Sequence, residues 1–253
     1  MADLSMIPPA EDSSTAAVTV SVIVPVLNEA ANISATLACL QALRACGAEV
    51  ILVDGGSSDA TLEISQPLVD RQIRSARGRA NQMNAGAAAA RGDILLFLHA
   101  DTRLPPDALG LITRGLTSLS TTLSTTLGTG SDKTWGRFDV HIDGKPRMLR
   151  LIAAMMNLRS RLSGIATGDQ AIFIRRAEFV AVGGFPDLAL MEDIEISTRL
   201  KRRSRPLCLR QKVATSGRRW VSRGVWRTIL LMWRLRLLYW CGVPAEKLLK
   251  EYQ

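Results

Sequence analysis

Three short apolar runs, each ending in polar or acidic residues, recur in the first hundred residues with helical patterns between them, and this alternation leaves few folds open. The runs lie in VSVIVPVLNE (Val20 to Glu29), VILVDGGSSDAT (Val50 to Thr61) and ILLFLHADT (Ile94 to Thr102). Val20 to Val26 is continuously apolar, as a strand buried on both faces would be, and Ile33, Leu37, Leu40 and Leu43 then fall at helical spacing. The order repeats with Val50 to Val53 and a helix opening at Ser58 or Asp59, the Asp59 carboxylate being placed as its N-cap. A strand around Ile73, a helix from Arg79 to Ala90, a strand from Ile94 to Leu98 and a helix opening at Pro105 and Pro106 complete the pattern. Short right-handed βαβ units of this kind specify an α/β fold with a parallel sheet. Ligands of such sheets bind along the edge where the strands end, so Asn28, Glu29, Asp54, Asp59, His99 and Asp101 are expected to gather there.

Past Leu116 the pattern changes. LTSLSTTLSTTLGTGSD (116–132) is Ser/Thr-rich and nearly repetitive, and reads as a surface insertion. A strand over Phe138 to Ile142, an apolar helix over Met148 to Leu162, a strand over Ala171 to Ile174, a turn at VGGFP (182–186) and a helix over Asp193 to Arg203 follow. This half is expected to lie beside the sheet. Residues 1–18 are polar, contain proline and have no periodicity, which is the composition of a disordered tail. The four cysteines show neither a CxxC pair nor metal-site spacing, and no N-terminal leader pattern precedes the first strand, so a reduced, cytoplasmic protein is expected.

Charge is unevenly placed. Residues 1–140 carry 10 Lys and Arg against 14 Asp and Glu, whereas residues 141–253 carry 22 against 9. Between Ile196 and Ala245 there are 13 basic residues and no carboxylate, a field suited to phosphate groups or anionic lipid. A helix beginning near Ser222 brings Trp226, Trp233, Tyr239 and Trp240 round at about seven-residue intervals among Arg227, Arg234 and Arg236. Its uncharged stretch from Ile229 to Trp233 is far too short to span a bilayer, which needs about 20 residues. Two readings stand: a helix lying at the inner face of the cell membrane, or one packed on the domain or on a second subunit. The aromatics follow a helix stripe rather than a stacking sheet, so no nucleic-acid partner is expected.

Glu192 and Asp193 in LMEDIEI open a helix, where the macrodipole favours ionised acids, and Arg77 and Arg79 are candidates to fork onto phosphate oxygens. Taken in order, VPVLNE, VDGGSSDAT, NAGAAAARGDILLFLHAD and MEDIEISTRL resemble family 2 glycosyltransferases, over roughly half the chain. The resemblance implies the GT-A fold, a mostly parallel central sheet flanked by helices, over residues 19–220, with amphipathic C-terminal helices over 221–253. It implies that Asp54 recognises the nucleotide base and that Pro25, Asn28 and Glu29 wrap the nucleoside.

His99, Ala100 and Asp101 stand where the family has DxD, whose carboxylates hold a divalent cation on the diphosphate, and the HADT form is similar to that of a bacterial subgroup. Asp101 suits Mg²⁺ or Mn²⁺; imidazole suits Mn²⁺ better than Mg²⁺, and His99 could instead donate to a ribose or phosphate. The resemblance makes Asp193 the general base, with Glu192 as the fallback, and puts Gly168 and Asp169 beside the sugar or acceptor. TSGRRW (215–220) resembles the RW motif of processive relatives but lacks their glutamine, so transfer of one sugar is expected. The implied function is inverting transfer of a hexosyl-type sugar from a nucleoside-diphosphate sugar to an acceptor hydroxyl, lipid-linked or at a membrane surface. A non-catalytic nucleotide-sugar scaffold and a sugar nucleotidyltransferase are the alternatives, and a homodimer is compatible with either packing of the last helices.

Overall fold

A computed structural model of the protein describes residues 18–117 and 133–252. The expected tail, apart from Val18, and nearly all of the expected insertion lie outside these residues. Leu116 and Thr117, read as the start of the insertion, form the last turn of a helix, with Leu116 buried.

The first half is the alternation read from the sequence. Strands β1 (Val20–Val26), β2 (Glu49–Asp54), β3 (Arg71–Arg74) and β4 (Ile94–Phe97) are linked by helices α1 (Ile33–Ala45), α2 (Thr61–Ser65) and α3 (Arg79–Ala89). All three pairings among these strands are parallel. A two-residue β5 (Thr102–Arg103) and α4 (Ala108–Thr117) follow, the helix opening two residues after Pro106. Then come β6 (Trp135–Asp143), α5 (Met148–Ser163), β7 (Ile172–Arg175), α6 (Arg176–Ala181), α7 (Glu192–Arg203) and β8 (Leu207–Ser216), with α8 (Arg218–Arg223), α9 (Val225–Trp240) and α10 (Ala245–Tyr252) last. One sheet takes all eight strands in the order β3-β2-β1-β4-β7-β6-β8-β5. β7 runs antiparallel to β4 and to β6, and β8 is parallel to β6. The second half therefore extends the sheet rather than merely flanking it.

Three expectations are corrected. The α2 helix begins at Thr61, and Asp59 is not its N-cap: its carboxylate Oδ1 accepts from the Thr61 amide (3.1 Å) and hydroxyl (2.5 Å), closing a local turn ahead of the helix. The helix near Ser222 is two helices, broken at Gly224, whose φ of 83° belongs to the left-handed region. β8, β5 and α6 were not expected at all.

Strand period two sorts the core. Val22, Val24, Leu52 and Leu96 face one side with α1 and α5, while Ile23, Ile51, Val53 and Phe97 face the other with α3, α6 and α7. At Gly86 a Cβ would lie 2.4 Å from Ile23 Cγ2, so only glycine lets α3 come this close to the sheet. A third cluster joins Leu190, Met191 and Ile194, ahead of and within α7, to Leu235 of α9 and Leu248 of α10. The last helices thus pack onto the segment that carries the acidic pair.

Candidate active site

In the strand order β3-β2-β1-β4 the chain reverses direction of travel between β1 and β4, and ligands of open α/β sheets bind outside the strand ends at such a point. A cleft of about 2290 Å³ opens there. Single-ligand pockets run to roughly 300–1,000 Å³, so this one has room for two substrates side by side.

The end of β1 and the loop after it supply Pro25 and Glu29 to its wall, and the loop after β4 supplies His99, Ala100 and Asp101; Arg77 and Arg79 come from the start of α3 and its approach, and Gly168 and Asp169 from the turn before β7. Glu192 and Asp193 close it from the first turn of α7. Met191 immediately before them has φ 72°, as Asn28 has 54° and Ala171 has 47°, three non-glycine residues in the left-handed region, all on loops that border the cleft or turn into its walls.

Asp193 is held in place by backbone: Oδ2 accepts from the Gly168 amide (3.0 Å) and Oδ1 from the Ile194 amide (2.8 Å). Glu192 is 4% exposed and receives Arg79 Nη1 at 3.4 Å. Burial raises the Glu192 carboxyl above its ordinary value and repulsion from Asp193 adds to this, with Arg79 pulling the other way. Arg79 stands in the cleft with its side chain 42% exposed. Desolvation by the surrounding walls would lower the guanidinium, but Glu192, Asp169 and Asp193 together outweigh it and raise it.

A raised acid works against the fold once ionised. Glu192 therefore costs nothing below its unfolded value near 4.5, and its penalty grows as pH rises through the higher folded value. The stability of Glu192→Gln relative to the parent should accordingly improve across that window, read as urea midpoints against pH. A difference independent of pH would show that Glu192 does not titrate there.

His99, 15% exposed, places Nδ1 at 3.2 Å from Asp169 Oδ1. Its Nε2 is buried without a hydrogen-bond partner among the described residues and faces Gly168, where a Cβ would lie 2.3 Å away. Gly168→Ala must therefore displace the imidazole or the Gly168 amide that holds Asp193. A drop in activity with an unchanged urea midpoint is expected, and normal activity would show that the contact is dispensable.

Three expected residues do not line the cleft, Asp59 among them through its turn with Thr61. Asn28 is turned to the loop after β2, accepting from the Ser58 amide at 2.9 Å, and Asp54 is 1% exposed, accepting from the amides of Gly56 (3.1 Å) and Ser57 (3.0 Å). No three His, Cys, Asp or Glu side chains cluster as a metal site among the described residues.

Sequence reading passed over a polar network that fixes the cleft's far wall. Arg137 on β6 is wholly buried and ties Ser160 Oγ (3.1 Å), the Asn157 carbonyl (3.1 Å) and Asp139 together, while Asn157 exchanges hydrogen bonds with both backbone groups of Val140. It also passed over Arg159 of α5, which lines the cleft, and did not single out Arg236 of α9 as a site residue.

The chain is 34% identical over 103 residues to an undecaprenyl-phosphate 4-deoxy-4-formamido-L-arabinose transferase of Pseudomonas aeruginosa, covering 36% of this chain and 30% of that one. It is 42% identical over 92 residues to a PGL/p-HBAD biosynthesis glycosyltransferase of Mycobacterium tuberculosis, covering 33% and 36%. The matches thus span about a third of the length of these relatives. Among solved structures, S. aureus TarS 1-349 in complex with UDP-GlcNAc superposes with a TM-score of 0.61 at 19% identity over 78% of this chain and 58% of that one. Mannosyltransferase PcManGT from Pyrobaculum calidifontis, in complex with GDP-Man and Mn²⁺, gives 0.57 at 21% identity over 79% and 57%. These likenesses carry the fold, which is the GT-A architecture implied by the sequence. The model for "Glycosyl transferase family 2" matches residues 21–178, from β1 into α6, and by that match over more than half its length the chain belongs to glycosyl transferase family 2.

Proposed function

We propose that the protein is an inverting, metal-dependent glycosyltransferase moving one sugar from a nucleoside-diphosphate sugar to the hydroxyl of a lipid-linked or membrane-surface acceptor. The observation that carries this reading is the placing of Asp193: its carboxylate is fixed by two backbone amides on the wall facing the β4 end, where Asp101 stands. On this reading Asp193 takes the acceptor hydroxyl proton, the acceptor oxygen bonds to the anomeric carbon, and the sugar's bond to the diphosphate breaks with its electron pair leaving on the nucleotide. Glu192 is the fallback base, but its pairing with Arg79 and its raised carboxyl suit it to shaping the site.

A divalent cation, when bound, supplies charge stabilisation on the leaving diphosphate. Asp101 is the residue to hold it. Its carboxylate has no hydrogen-bond partner among the described residues, and cations of this kind are commonly bound by one or two carboxylates with substrate phosphates completing the shell. His99 fits less well as a ligand, because Nδ1 is taken by Asp169 and Nε2 is buried against Gly168. It is assigned to positioning Asp169. Arg77 and Arg79 face the diphosphate. Pro25 and Glu29 border the nucleoside, and Asn28 and Asp54 act there through the turn they hold. No described helix is long and apolar enough to cross a membrane, so contact with a bilayer is made from its surface.

Calorimetry with a panel of nucleotide sugars, with and without Mn²⁺, tests this reading. Metal-dependent binding of one donor, with slow release of the nucleoside diphosphate, is the expected result. Failure of the folded protein to bind any donor with metal present would sink it.

A further inference from the structure

The cleft has a second polar centre that the transfer step above does not use. Arg159 Nε and Nη2 and Arg236 Nε are buried with no hydrogen-bond partner, and neither residue makes a salt bridge among the described residues. Desolvation, together with the like charges of Arg236 and Arg137, brings the Arg159 guanidinium down to about 10, with Asp193 partly offsetting them. Arg236 is lowered by desolvation too, against attraction from Asp193 and Asp169. Both remain cations at neutral pH. Two neighbouring half-buried cations with buried, unpartnered nitrogens are costly to the fold, and an anion with several acceptor oxygens is what would satisfy them.

The approach to this centre is apolar on two sides. On α5, Leu151, Met155, Leu158 and Leu162 are 55%, 53%, 57% and 75% exposed. On α9, Trp226, Leu230, Trp233, Leu237 and Trp240 are 61–83% exposed. Each set recurs at helical spacing, so each helix shows a continuous apolar stripe, and the longer stripe runs about 21 Å. Met155 and Leu162 on one side and Trp233, Leu237 and Trp240 on the other line the same cleft as the two arginines. Apolar stripes this exposed mark a binding surface.

From this juxtaposition we infer that Arg159 and Arg236 receive the phosphate of a phosphate-bearing lipid acceptor, whose hydrocarbon chain lies between the stripes of α5 and α9 and whose head group beyond the phosphate carries the hydroxyl that Asp193 serves. The inference rests on the transferase reading, since it names the acceptor that Asp193 would serve. Charge complementarity selects the occupant: an apolar wall alone would suit a second copy of the chain, but the pair of half-buried arginines in the same cleft would then stay unpartnered. The basic run from Ile196 to Ala245 without a carboxylate gives such an amphiphile a favourable field on entry.

The test is binding, not turnover, so it can fail or succeed independently of the transferase reading. Decyl phosphate below its micellar concentration, inorganic phosphate and decanol would each be titrated into the protein, with Trp fluorescence and calorimetry as readouts. Decyl phosphate is expected to bind at least about tenfold more tightly than either of the others, and Arg159→Gln with Arg236→Gln to lose about tenfold or more of that affinity. Binding of a nucleoside diphosphate is expected to survive in this double variant, and its urea midpoint to hold or rise. Trp233→Ser with Leu237→Ser, at exposed positions that leave the fold intact, should weaken decyl phosphate but not inorganic phosphate. Inorganic phosphate binding as tightly as decyl phosphate would overturn the lipid assignment. Loss of nucleotide binding in the arginine variant, with decyl phosphate unaffected, would assign the pair to the donor instead.

Discussion

Asp193→Asn is expected to lower kcat by about 10²–10⁴-fold while the dissociation constant of the nucleoside diphosphate stays as it was. The change is nearly isosteric, and Asp193 sits at the start of α7 between two amide donors, Gly168 and Ile194, so the amide oxygen keeps one of these bonds. What disappears is the lone pair that accepts the acceptor proton. Steady-state kinetics beside calorimetry separates the possibilities: a fall in kcat alone is loss of a base, whereas a parallel loss of donor affinity would mean that Asp193 chiefly organises the Gly168 turn. Unchanged turnover would remove Asp193 from the chemistry. A protein that binds donor but shows no turnover in either form would be the nucleotide-sugar scaffold that the missing first carboxylate of the HAD triplet also allows.

Much of this arrangement is legible in the sequence, for a physical reason. β1, β2 and β4 are central strands buried on both faces, so they appear as unbroken apolar runs, and the residues that end them fall on the cleft edge whatever the detail of the loops. β8 escaped because it lacks both signals. Leu207 to Leu209 are only half-buried, Arg210, Gln211 and Lys212 are exposed, and a register shift opposite Phe138 and Asp139 breaks the alternation. The acidic turn shows a different limit. A carboxylate at the end of β2 can read a ligand or cap its own turn, and the sequence is the same in both cases; the structure puts the oxygens of Asp54 on the amides of Gly56 and Ser57. Arg159 and Arg236 mark a third limit, since they lie 77 residues apart in the sequence and only the packing of α9 and α10 onto the Leu190–Ile194 segment brings them to one cleft.

The second large effect lies under the far wall, where Asp139→Ala is expected to cost about 3–5 kcal/mol of stability. Asp139 is 9% exposed, and its carboxylate is shared between Arg137, which has no exposure at all, and Arg161 of α5, whose Nη2 lies at 2.7 Å. Arg137 keeps its bonds to Ser160, to the Phe138 carbonyl and to the Asn157 carbonyl in the variant, but these are neutral acceptors and leave a buried cation without a counter-charge. Arg161→Ala should cost far less, because its side chain is 32% exposed and water can replace it. Urea unfolding at constant m-value measures both, and replacing the pair together, Arg137→Met with Asp139→Leu, should recover most of the loss, since no charge is then stranded. If Asp139→Ala unfolds at the parent midpoint, the ion pair is incidental and α5 is held by Leu149, Ile152 and Ala153 together with the hydrogen bonds of Asn157 and Ser160. If it falls as expected, α5 is pinned to β6 on the face carrying Asn157, Ser160 and Arg161. That anchoring is what keeps Arg159 turned toward the cleft with no partner of its own, so a folded Asp139→Ala protein should also bind decyl phosphate less tightly than the parent.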